Sequence, residues 1–84
     1  MPQRQQLNQQ LQQLEADIAR SRQAIQAYMS LLFSYSQLAD LETGSRLIID
    51  MTDRLVAERQ QYETITAHHD ELLRQLGRLT SQAD

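Results

Sequence analysis

Ala39-Asp40-Leu41-Glu42-Thr43-Gly44-Ser45-Arg46 is the stretch on which the fold turns. On either side of it hydrophobic residues keep a 3.5-residue beat, and within it the beat is lost. Upstream the beat runs Leu7, Leu11, Leu14, Ile18, Ser21, Ile25, Tyr28, Leu32, Tyr35, Ala39. Downstream it runs Ile48, Met51, Leu55, Glu58, Tyr62, Ile65, His69, Leu72, Leu76, Leu79. Alternating steps of three and four mark a helix with one sticky seam. Continuing the first beat through the break would put Arg46 and Asp53 on the seam, so the chain restarts in a new phase. Gly44 is a candidate helix stop in the left-handed conformation. Ser45 is then a candidate N-cap for the second helix. A turn so short forces two helices antiparallel.

The expected fold is all-α: an antiparallel, coiled-coil-like two-helix hairpin, one domain over 1–84. Helix 1 is expected over about 3–40, the turn over 41–45, helix 2 over about 46–80 and a frayed tail over 81–84. Folding at Thr43–Gly44 lays Leu7 on Leu79, Leu11 on Leu76, Leu14 on Leu72 and Ile18 on His69. Further along it lays Ile25 on Tyr62, Tyr28 on Glu58, Leu32 on Leu55, Tyr35 on Met51 and Ala39 on Ile48. Asp50–Arg54 and Asp70–Arg74 stand four residues apart with the acid first, the favourable order on a helix.

Composition narrows the function. Two glycines and one proline in 84 residues leave room for few turns. Without cysteine there is neither a disulfide nor a thiolate metal site. A net charge of -3 gives no general attraction to nucleic acid or to anionic membrane. The polar start Met1-Pro2-Gln3-Arg4 leads into no apolar signal segment. The most apolar stretch, Ala27 to Phe33, is far short of the ~20 residues that span a bilayer. The expected location is cytoplasmic, without a membrane partner.

The seam carries polar residues at Ser21, Glu58 and His69, with Tyr28 placed to donate its hydroxyl to Glu58. Buried polar seam residues fix register and oligomer state. His68-His69-Asp70-Glu71 has poor metal spacing, since neighbouring histidines point to different faces of a helix. A helical di-iron site also needs carboxylates on the opposite helix seam, and helix 1 has none. No nucleophile elbow or phosphate loop occurs. No catalytic, cofactor or metal residue is therefore assigned, and the expectation is a non-enzyme.

Near the turn lie apolar residues that the seam does not use: Met29, Leu31, Phe33, Leu38 and Leu41, then Leu47, Ile49 and Val56. Two helices cannot cover both a seam and a second stripe, and large exposed apolar patches are unusual on monomers. These eight residues are the candidate partner-binding site. The partner is a protein helix laid into a groove, or a second copy completing a four-helix bundle. In size, acidity and lack of motifs the chain is similar in kind to the small helical-hairpin co-chaperones of bacterial type III secretion systems. The expected role, drawn from the apolar stripe, is a small helical adaptor or a chaperone- or inhibitor-type protein that binds a partner's amphipathic helix; the likeness is one of architecture. Alternatives are a structural subunit of a larger bacterial or phage assembly and a Rop-like RNA-binding four-helix dimer. For RNA the candidate cations are Arg20, Arg22 and Arg59, diluted by Glu15, Asp17, Glu58 and Glu63.

Overall fold

Leucine, glutamine, alanine and arginine are good helix formers, and they dominate both halves of the chain. The computed structural model describes residues 2–83, which form two helices, α1 (Pro2–Ser36) and α2 (Leu41–Ala83). They pack side by side as an antiparallel hairpin, 65 × 14 × 14 Å. The 43 residues of α2 account for that length, at about 1.5 Å per residue.

The seam forms as its spacing requires. From Leu7 to Tyr35 on α1, and from Ile48 to Leu79 on α2, every beat residue is buried or half-buried. The tightest part is distal to the turn, where Leu7, Leu11 and Leu72 are buried and Leu14, Leu76 and Leu79 pack against them.

The turn lies earlier than the break in the beat suggests. It occupies residues 37–40, and Leu41–Ser45 is the first part of α2. The reason is local hydrogen bonding. Asp40 is the N-cap: its Oδ1 accepts from the backbone N–H of Glu42 at 3.1 Å and of Thr43 at 3.4 Å. Its Oδ2 accepts from the Thr43 hydroxyl at 2.7 Å, and its carbonyl accepts from Gly44 N–H at 2.9 Å. These bonds satisfy N–H groups that a helix start leaves without partners. At the other side, Gln37 N–H donates to Ser34 O and Leu38 N–H to Tyr35 O, tightening the last turn of α1.

Gly44 is therefore not a helix stop, and no described residue has a positive φ. It occupies the seam place four residues before Ile48, and it is buried. A Cβ there would stand 3.0 Å from the Tyr35 carbonyl oxygen and 3.6 Å from Leu38 Cβ. The missing side chain lets the end of α1 come down onto α2. Ser45 caps nothing; its hydroxyl donates to the Glu42 carbonyl within the helix. Ala39 is exposed in the turn and takes no seam place. At the far end α2 continues through Ala83, where fraying was expected from residue 81; Asp84 lies outside the described residues.

Moving the turn moves the register. Ser21, not Tyr28, donates to Glu58, at 2.8 Å. The slide is one heptad. Stepping from this pair by threes and fours levels Tyr28 with Met51, Leu14 with Ile65 and Leu7 with Leu72. The shared core of Leu7, Leu11 and Leu72 agrees. Ion pairs differ as well: Arg74 reaches Glu71 at 3.5 Å, three residues away, in place of Asp70.

The cap makes stability depend on pH. The Thr43 hydroxyl, then the Thr43 and Glu42 N–H groups, hold the Asp40 carboxyl below the usual aspartate range. A depressed folded pKa means a contribution fully present above the unfolded value of about 3.9. That contribution is lost as pH falls through the folded value. Asp40→Asn keeps the capping geometry without the charge, so it should flatten the acid limb of Tm against pH, as followed by circular dichroism. An unchanged acid limb would show that Asp40 does not cap α2 in solution.

Candidate partner-binding surface

Each helical residue turns by 100°, so the residue after a seam position faces one flank of the hairpin and the residue before it faces the other. Because the helices are antiparallel, the same rule selects the same flank on both. Met29 and Phe33 follow Tyr28 and Leu32; Ile49 and Val56 follow Ile48 and Leu55. These four share a flank, called here the following flank. Leu31 and Leu47 precede Leu32 and Ile48, and so lie on the preceding flank with Ala24. Spacing along the chain groups Leu31 with Ile49 in one stripe; the hairpin divides them.

Exposure separates the two groups further. On the following flank Phe33 is 69% exposed and Ile49 63%, with Met29 and Val56 also above half or at it. On the preceding flank Leu31 is less exposed, at 38%, and Leu47 is half-buried. Leu38 lies in the turn against Gly44, and Leu41, exposed, opens α2. Leu73 is also exposed, far from the turn on the following flank; its place beside buried Leu72 was the available signal for it.

The polar layer sits at mid-length. Ser21 is 4% exposed, and its hydroxyl is satisfied by the half-buried Glu58. An open cleft of about 510 Å³ on the preceding flank is lined by Asp17, Arg20, Ser21, Ala24, Glu58, Gln61 and Ile65. Arg20 is bound to Asp17 along its own helix. The layer joins α1 to α2 by a charge-assisted hydrogen bond and leaves no buried side-chain polar atom unpaired among the described residues. Further from the turn, His69 is half-buried, with Nε2 3.4 Å from Glu15 Oε1 and Nδ1 3.9 Å from Asp70. It stands level with Leu11, where Ile18 was expected.

Among the described residues no group of three or more histidines and carboxylates is placed to hold a metal ion. No described helix is long and apolar enough to cross a membrane. No protein-family model, curated protein or solved structure matches the chain.

Proposed function

We propose that the protein is a non-enzymatic protein-interaction module, a small helical adaptor or chaperone-type protein. Its turn-proximal apolar residues receive an amphipathic helix. The observation that carries this reading is the exposure of Met29, Phe33, Ile49 and Val56 together on one flank. A single exposed aliphatic side chain means little, but a cluster of large ones marks an interaction surface. Helix-in-groove recognition reads anchors at helical spacing, and the two helices present such spacing on adjoining rows. Met29 adds an adaptable contact.

The test compares three variants of the full chain: Ile49→Arg, Leu31→Glu and Leu11→Glu. Burying a large aliphatic side chain contributes ~1.5–3 kcal/mol, so one charge at the interface weakens association about tenfold or more. Ile49→Arg should do so while circular dichroism still reports full helix. Leu11→Glu should damage the hairpin itself, because Leu11 is buried in the distal core. Wild-type association in both Ile49→Arg and Leu31→Glu, towards a captured partner and towards itself, would remove the stripe from consideration.

A further inference from the structure

We infer that the occupant of the following flank is a second copy of this chain, laid on it with its turn pointing the opposite way. The inference rests on the proposed interaction role and specifies its partner. Area is the first argument. The chain exposes 6466 Å², whereas a compact monomer of 9.8 kDa exposes about 5,200 Å². The surplus, about 1,300 Å², exceeds the roughly 800 Å² that each partner contributes to a standard interface.

Charge is the second argument, and it selects the partner. Counted from the Ser21–Glu58 pair, the apolar cluster is centred near Met29 of α1, level with Asp50 and Met51 of α2. Along α2, Glu42 and Arg59 are equidistant from the point between those two residues, about 13 Å away on either side at 1.5 Å per residue. Both belong to the following flank: Arg59 comes after Glu58 of the seam, and Glu42 is one heptad before Ile49. Arg22, after Ser21, adds positive charge at the Arg59 end, and Asp40 adds negative charge at the turn.

One end of the patch is therefore basic and the other acidic. A two-fold axis through its centre, crossing both helices, sets α2 antiparallel on the second copy's α2. That operation places Glu42 of each copy at the height of Arg59 of the other, and apolar residues meet at the axis. All neighbouring helices are then antiparallel, as in an up-down four-helix bundle. Within one chain Glu42 pairs with Arg46 at 3.4 Å and Arg59 with Glu63 at 3.5 Å. All four side chains are about two-thirds exposed or more, so these local pairs compete weakly.

The test is sedimentation equilibrium of the full chain with Glu42→Arg, Arg59→Glu and the double exchange. Each single reversal turns two attractions per dimer into repulsions, and should weaken the dimer about tenfold at low salt. The double exchange should restore it to near wild type. Ile49→Arg should abolish the dimer and Leu31→Glu should leave it. A helical wild-type monomer up to hundreds of micromolar overturns the second copy as occupant. The capture comparison of Ile49→Arg with Leu31→Glu then decides the wider interaction reading separately. A dimer broken by Leu31→Glu but not by Ile49→Arg, or one that the double exchange fails to rescue, overturns the two-fold arrangement.

Discussion

Leu72→Ala should lower the midpoint of thermal unfolding by roughly 10 °C, the largest loss expected from a single truncation on the seam. Leu72 is 4% exposed, the most deeply buried apolar side chain among the described residues. It closes the distal core against Leu7 and Leu11, with Leu14, Leu76 and Leu79 around it. Truncating a buried leucine costs about 2–5 kcal/mol. The low end applies here, because a cavity between only two helices is reached by water and partly collapses. One kcal/mol corresponds to about 4–8 °C in a domain of this size. Leu73→Ala is the matched control: it is adjacent, chemically identical and 46% exposed. Melts followed by circular dichroism at one fixed protein concentration separate them, since association alone can shift a midpoint. Equal melting of the two variants would mean that the distal core does not form in solution.

The two glycines should respond to the same substitution with opposite signs. Gly77 is exposed, and a Cβ there meets nothing within 4 Å. Gly77→Leu therefore collects the helix-propensity gain, about 1 kcal/mol, without a clash. Gly44→Leu collects the same gain but places a side chain where a Cβ alone comes within 3.0 Å of the Tyr35 carbonyl. That oxygen is backbone and cannot swing aside. Overpacking costs about 1–3 kcal/mol, so the net effect at Gly44 is destabilising and opens the turn end of the hairpin. Gly44→Ala falls between, with propensity and clash nearly cancelling. Urea unfolding of the three variants reads the signs. A stabilised Gly44→Leu would show that α1 and α2 are not in close approach there.

Both glycine predictions depend on which turn the chain uses, and this is where reading the residues alone reached its end. Gly44-Ser45 is ordinary punctuation between helices, and Asp40-Leu41-Glu42-Thr43 is an equally good start signal. Neither contradicts the seam. A glycine within a helix is disfavoured by about 1 kcal/mol, so local propensity favours the wrong turn. What offsets that cost is the approach of the Tyr35 carbonyl to Gly44, a contact between residues of different helices. Leu31 and Ile49 lie on the legible side of that limit: once the short turn makes the helices antiparallel, the residue before a seam position and the residue after one fall on opposite flanks, whatever the register.

The sequence by itself determined that this protein is two amphipathic helices folded back on one another. Apolar residues spaced by three and four must share a face, and no other secondary structure satisfies that period. It also determined the seam from Leu7 to Tyr35 and from Ile48 to Leu79, down to Ser21, Glu58 and His69; next to the turn it misplaced Ala39, which is exposed, and missed Gly44, which is buried. Only the tertiary structure decided the register. A heptad pattern repeats every seven residues, so sliding one helix by two turns again sets seam against seam. Asp40 as cap, Gly44 beneath Tyr35 and Ser21 against Glu58 break that degeneracy, because each fits one register alone.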